Sequence, residues 1–86
     1  MTEQLTEAQR RLLEIVDVLQ YVTETTLAAH LGRGWQNPLR SCMRSGWIEC
    51  IGDVHDDIRY VRVFRLTRAG RRVLLGDDQG VTMDGR

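Results

Sequence analysis

The residues of this sequence with the clearest chemical character are its arginines, which supply all twelve of its basic side chains. Nine of these arginines fall in two stretches without an acidic residue, 33–47 and 59–72. A guanidinium group can donate paired hydrogen bonds to a phosphate or to the edge of a guanine. If both stretches fold onto one face, that face is strongly positive although the formal net charge of the chain is zero. The pattern favours a nucleic-acid partner, and the alternative is an ordinary solvated surface.

Histidines and cysteines do not occur in a pattern that would bind a metal. Cys42 and Cys50 are eight positions apart, and His30 and His55 are remote from them and from each other, whereas zinc ligands come in close pairs. The sequence also lacks a recognisable catalytic triad and a glycine-rich phosphate loop. We therefore expect reduced thiols, no metal, no cofactor and no enzymatic activity.

A length of 86 residues allows one small domain. Its apolar runs are far shorter than the roughly 20 residues of a membrane span, and its N-terminus lacks the regions of a signal peptide. We expect a cytoplasmic protein that does not interact with a membrane. The folded domain is predicted at residues 1–76, and residues 77–86, which show no periodicity, are predicted to be a disordered tail.

Capping signals and helical spacing predict the first two helices. Thr6 and Gln9 have the spacing of a capping box, and apolar residues then recur every three or four positions, so a helix is expected at about 7–20. Thr23 can cap a second, short helix at about 24–31.

The third helix is predicted from the position of a proline. Proline is costly inside a helix but favoured at its first position, where its missing N–H needs no partner. Asn37 is a good N-cap, so this helix is expected to begin at Pro38 and to end at Gly46. Trp35, just before it, either fills the core or stacks on a base or a partner. The residues expected on the buried side of the helix are Leu39 with Cys42 or Met43.

Two stretches rich in β-branched and aromatic residues, 47–52 and 58–66, predict two antiparallel strands joined by a polar loop of about six residues. Phe64 of the second strand is expected opposite Cys50 of the first. Thr67 can then cap a closing helix that ends at a glycine.

This order of elements resembles a winged helix-turn-helix domain, and the resemblance covers about residues 6–75. "TLAAHLG" resembles the second helix and turn of that family, and "LRSCMRSGWIE" resembles the end of its third helix and the exit into the wing. "VFRLTRAGRRVL" resembles the strand and final helix of transcription regulators of the multiple-antibiotic-resistance and PadR types. The resemblance implies an α+β fold with a three-helix bundle, a two- or three-stranded antiparallel wing and a short C-terminal helix.

The function that this resemblance implies is sequence-specific binding of double-stranded DNA by a small transcription regulator of bacterial, archaeal or phage type. In the family the third helix lies in the major groove, and the wing touches the flanking backbone or minor groove. Arginine suits guanine or phosphate there, and asparagine or glutamine suits adenine. The exposed residues carried over from the third helix and its approach are Arg33, Gln36, Asn37, Arg40, Ser41 and Arg44. Those carried over from the returning wing strand are Arg59 and Arg62.

The acidic residues Asp53, Asp56 and Asp57 fall at the predicted wing tip, where they would repel DNA phosphates. An alternative function is therefore a winged-helix module that binds another protein through its acidic wing tip. A homodimer, which the family forms through long outer helices, would here use the wings or the first helix, where Leu13 and Val18 lie partly off the apolar stripe. The sequence does not choose between these surfaces.

Overall fold

A computed structural model describes residues 5–76, which form four helices and one three-stranded sheet. The elements in chain order are α1 Glu7–Leu19, β1 Tyr21–Thr23, α2 Glu24–Leu31, α3 Gln36–Arg44, β2 Ile48–His55, β3 Tyr60–Leu66 and α4 Arg68–Leu75. The predicted disordered tail, residues 77–86, lies outside the described residues.

Three of the four helices begin at the predicted caps. The Thr6 hydroxyl accepts a hydrogen bond from the Gln9 backbone N–H at 3.1 Å, and Gln9 Oε1 accepts one from the Thr6 N–H at 2.9 Å, which completes the capping box. Thr23 and Thr67 each accept a hydrogen bond from the backbone N–H three residues later, at 3.1 and 3.0 Å. Local sequence therefore determines where α1, α2 and α4 start.

The start of α3 differs from the prediction. Its first helical residue is Gln36, and Trp35 occupies the N-cap position without a capping hydrogen bond from its side chain. Asn37 is helical, so the expectation that it caps the helix is wrong, and Pro38 is the third helical residue instead of the first. A proline is tolerated throughout this first turn because none of its N–H groups has a partner within the helix. The first such bond runs from the Leu39 N–H to the Trp35 carbonyl, at 3.4 Å.

One core lies between the helices and the sheet. Its buried members are Leu12, Leu13, Val16, Val22, Leu27, Leu39, Cys42, Trp47, Ile48 and Phe64. Leu13 is fully buried, which corrects the expectation that it lies partly off the apolar stripe, because α1 contacts α2, α3, α4 and the sheet. Trp35 packs against the edge of this core and is half-buried.

The sheet has the strand order β1-β3-β2, and both pairs are antiparallel. Cys50 lies opposite Phe64, as predicted. β1 is the third strand, which the sequence had left open. We use the term wing for β2, β3 and their connection, residues 48–66.

The connection at the wing tip is shorter than the predicted loop, because β2 continues to His55 and leaves only residues 56–59 between the strands. Asp56 closes this turn. Its N–H donates to the Arg59 carbonyl at 2.9 Å, and its Oδ1 accepts from the N–H groups of Ile58 and Arg59 at 2.8 and 3.0 Å. An aspartate that satisfies the turn in this way lets the strands pair almost to the tip.

Candidate nucleic-acid interface

One side of α3 presents only polar side chains to solvent. We name it the α3 polar face, and its members are Gln36, Asn37, Arg40 and Arg44, all of which are exposed. At about 100° of rotation per residue, these four side chains lie within an arc of about 100°. Leu39 and Cys42 are buried on the other side of the helix. The core therefore fixes the direction in which the polar face points.

The α3 polar face lies in a part of the chain that contains no carboxylate. Between Glu24 and Glu49 the sequence has no acidic residue. Arg33, in the turn that leads into α3, is also exposed. The charged side chains of this segment are thus all basic, which favours a positive local potential at the face although the whole chain is neutral.

Ser41 does not share this face. Its side chain is half-buried, and its hydroxyl accepts a hydrogen bond from Gln9 Nε2 at 2.7 Å. The expectation that Ser41 lies on the exposed side of the helix is wrong, because its position falls beyond the polar arc and beside α1. The contact joins α3 to the capping box of α1 and helps to hold α3 in place.

The wing meets α3 at Arg62. A cleft of about 80 Å³ separates the two, and its lining residues are Gln36, Leu39, Arg40, Met43 and Arg62. The structure thus brings one arginine of the second acid-free stretch beside the α3 polar face.

The Arg62 guanidinium is engaged within the protein. Its Nε and Nη2 donate to Glu24 Oε2 at 3.1 and 2.9 Å, and its backbone N–H donates to Glu24 Oε1 at 3.0 Å. The guanidinium carbon also lies 5.2 Å from the centre of the Phe64 ring. Partial burial raises the pKa of Glu24, but the hydrogen bonds from Arg62 outweigh it and leave that pKa below its ordinary value.

The sequence does not mark Glu24 as the partner of Arg62. The capping residue Thr23 marks its place at the start of α2, but Glu24 and Arg62 are 38 positions apart and nothing local indicates that they meet. Only the pairing of β1 with β3 places the two side chains together.

Of the three acidic residues predicted at the wing tip, two are exposed to solvent, and the third, Asp56, accepts hydrogen bonds within the protein. Asp56 Oδ2 accepts a hydrogen bond from the Thr25 hydroxyl at 2.9 Å. Hydrogen bonds from the N–H groups of Arg59 and Ile58, and then from Thr25, lower the pKa of Asp56 to about 2. Asp53 and Asp57 are exposed. Arg59, also exposed, lies in the connection, one residue before β3.

The second arginine stretch does not form a single face with the first. Arg65 lies three positions from Arg62 on β3, so it projects from the opposite face of the sheet, where its Nε donates to Glu49 at 2.6 Å. Arg71 lies 3.8 Å from Asp17 of α1. The expected common positive face is thus limited to α3, the turn before it and the adjoining part of the wing.

Within residues 5–76 no group of three or more histidine, cysteine, aspartate and glutamate side chains could hold a metal ion. None of the helices in this described part of the chain is long and apolar enough to cross a membrane. Cys42 is buried, and this burial raises the pKa of its thiol to about 11, whereas Cys50 is exposed.

The arrangement of elements is similar to that of a known regulator. A crystal structure of a MepR mutant from a multidrug-resistant S. aureus clinical isolate superposes with a TM-score of 0.68 at 25% sequence identity. The similarity covers 84% of this chain and 54% of the MepR chain, so this chain spans about half the length of MepR. MepR is a winged-helix regulator of the multiple-antibiotic-resistance family. No family model matches the chain, and no curated protein matches it.

The fold is therefore the α+β winged helix-turn-helix predicted from the sequence, a fold of DNA-binding transcription regulators. In the terms of this fold, α2 and α3 form the helix-turn-helix, α3 occupies the position of the recognition helix, and β2 with β3 forms the wing.

Proposed function

We propose that this chain is a transcription regulator that binds double-stranded DNA sequence-specifically, with the α3 polar face in the major groove. The observation that carries the proposal is that face itself. It combines two arginines, an asparagine and a glutamine on a helix whose other side is locked into the core. These are the side chains that recognise base edges and phosphates in DNA.

The order of residues along α3 suggests a role for each. The nine-residue helix is about 14 Å long, and a major groove about 12 Å wide admits an α-helix. Asn37, in its first turn, and Arg40, at its centre, are placed for adenine and guanine edges, because recognition helices contact bases from their N-terminal part. Arg44, at the last turn, and Arg33, in the preceding turn, are placed for flanking phosphates.

Of the two wing arginines predicted to contact DNA, Arg59 is the better candidate for a contact with the DNA backbone. It is exposed at the tip, whereas Arg62 already pairs with Glu24. A wing with one available arginine and two exposed aspartates would add little affinity, so most phosphate contacts come from α3 and the turn before it.

Binding of the chain to fluorescent duplexes tests the proposal. One duplex is selected from a random pool by repeated binding, and the other is its shuffled counterpart. We expect the logarithm of the binding constant to fall linearly with the logarithm of salt concentration, and the selected duplex to bind about 10³-fold more tightly or better. Equal binding to both duplexes would rule out sequence-specific recognition, and absence of binding at low salt would rule out DNA binding.

A second candidate function, docking of another protein at the wing, is favoured by two exposed apolar side chains. Ile58 and Tyr60 are 86% and 72% exposed beside the acidic Asp57, and exposed apolar patches often mark protein interfaces. If a protein docks at the wing, an Ile58→Ser variant should no longer cross-link to that protein and should keep its affinity for DNA. Loss of DNA affinity instead would assign these side chains to the DNA interface.

A further inference from the structure

Two carboxylates join the first turn of α2 to the wing. Glu24 accepts three hydrogen bonds from Arg62 of β3, and Asp56 of the wing tip accepts one from Thr25. We name these four residues the α2–wing clasp. It connects the helix-turn-helix to the wing at two points, six positions apart along the hairpin.

We propose that Glu24 is a positioning residue of the DNA-binding surface. Its contacts with Arg62 hold the wing at a fixed distance from α3. The inference rests on the proposed DNA-binding function. Arg62 then makes contacts within the protein and is not one of the residues that bind DNA phosphates.

The geometry of the sheet explains why a carboxylate is needed at this position. β1 pairs with β3 only as far as Thr23 opposite Val63. The next N–H along that edge of β3 belongs to Arg62 and has no strand carbonyl to meet. Glu24, the residue that follows β1, supplies the missing acceptor with its side chain. The carboxylate thus extends the sheet edge by one hydrogen bond.

A DNA phosphate would be a poor substitute for this partner. Drawing Arg62 towards DNA would break its two guanidinium hydrogen bonds and move it from the Phe64 ring. The Glu24 side chain, only 19% exposed, would then keep a partly buried charge with one hydrogen bond. The Arg62 side chain is 47% exposed, and its charge is already compensated.

The same contacts couple the wing to the recognition helix. Arg62 lies across the cleft from Gln36 and Arg40 of the α3 polar face. The second contact, from Thr25 to Asp56, fixes the turn that carries Arg59. Loss of the clasp would therefore let Arg59 move relative to α3 and would impair the joint fit to one DNA site.

The opposite role for the same pair is a latch. The Glu24 carboxylate would then bind the Arg62 guanidinium in the free protein, and a DNA phosphate would replace that carboxylate on binding. The two roles predict opposite changes in DNA affinity when the Glu24 charge is removed. Specific binding weakens if Arg62 positions the wing, and binding strengthens if Arg62 is a phosphate contact that Glu24 blocks.

The test compares Glu24→Gln, which keeps the shape of the side chain, with Glu14→Gln, a matched loss of charge on the exposed side of α1. Affinities for the selected and shuffled duplexes are measured at several salt concentrations, together with the unfolding midpoint and amide hydrogen exchange in β3. We expect Glu24→Gln to weaken the selected duplex about tenfold and the shuffled duplex much less. The salt slope should change little, because Arg62 is not a phosphate contact and the wing supplies few of the phosphate contacts. The Arg62 amide should exchange faster.

Two further variants separate positioning from general stability. Arg62→Met keeps most of the packing, and combining it with Glu24→Gln should weaken binding no more than either change alone, as for two members of one contact. Thr25→Val removes only the second contact and should act in the same direction with a smaller effect. This variant keeps the inference testable if Glu24→Gln does not fold.

Four results would overturn the inference. Tighter binding by Glu24→Gln with a steeper salt dependence makes Arg62 a DNA contact, and identical behaviour of Glu24→Gln and Glu14→Gln removes the special role of Glu24. If the wild-type chain binds no duplex, the proposed function fails together with this inference. Normal wild-type binding that Glu24→Gln leaves unchanged overturns this inference alone.

Discussion

At Gly70 the backbone of α4 lies directly against the backbone of Trp47, the residue just before the wing. A Cβ at this position would overlap the Trp47 carbonyl and would lie 2.9 Å from Leu66 Cδ1. The same carbonyl accepts the Thr67 N–H at 2.9 Å, just before α4 begins. Glycine is thus required here because two backbones approach closely, and the backbone of Gly70 is ordinary helix.

Replacing Gly70 by alanine should destabilise the protein although alanine is the better helix former by about 1 kcal/mol. The added methyl group must displace backbone, and overpacking of this kind costs about 1–3 kcal/mol. Urea denaturation measures the change, and Arg72→Ala, at an exposed position of the same helix, is the control. A Gly70→Ala protein more stable than wild type would show that α4 can move away from the wing at no cost.

The two cysteines should differ sharply in reactivity. Burial raises the pKa of Cys42 to about 11, so its thiolate is scarce near neutral pH, whereas Cys50 is exposed on β2. With a chromogenic disulfide reagent at pH 8, we expect one thiol per folded chain to react quickly and the second only on unfolding. Cys50→Ser should remove the fast phase. Equal rates for both thiols in the folded chain would contradict the burial of Cys42.

Among the helices and strands, the sequence predicts the boundaries that local signals determine. The capping residues of α1, α2 and α4 lie within three positions of the groups that they satisfy, and the structure confirms all three helix starts. The start of α3 has no such cap, because Trp35 occupies the N-cap position without a side-chain bond. Asn37 and Pro38 therefore led to a prediction two residues too late.

Contacts between distant parts of the chain could not be predicted in this way. β1 has only three residues, and its pairing with β3 depends on the tertiary fold. The partners of Arg62 and of Ser41 are Glu24 and Gln9, 38 and 32 positions away. The sequence therefore predicts correctly that the arginines and amides of α3 are exposed. It does not distinguish them from Arg62 and Ser41, which hold elements of the fold together.

Replacing Pro38 by alanine should leave the fold intact. Pro38 is the third residue of α3, where its missing N–H breaks no bond within the helix. Its contribution is mainly to restrict the unfolded chain, so we expect a loss of about 0.4–1 kcal/mol. The urea midpoint and the helical circular dichroism signal measure this. Loss of cooperative unfolding, or a clear gain in stability, would show that α3 does not begin in the turn ahead of Pro38.

The neutral net charge of the chain conceals an uneven distribution of charged side chains. Ion pairs hold Arg62, Arg65 and Arg71 against acidic residues of other elements. Among residues 5–76, Arg40 and Arg44 belong to none of the ion pairs. Three of the eleven arginines in the described residues are thus compensated by ion pairs, whereas the positive charge of α3 stays available, where local potential can attract DNA.

The contrast between Arg40 and Arg44 tests directly whether the α3 polar face binds DNA in the major groove. Arg40→Ala should weaken the selected duplex by about 1–3 kcal/mol and the shuffled duplex little, because a base contact is lost. Arg44→Ala should weaken both duplexes alike and lower the salt slope by about one, because a phosphate contact is lost. Arg72→Ala, on α4, should change neither. If both α3 variants bind both duplexes as the wild type does, at every salt concentration, the α3 polar face is not a DNA-reading surface.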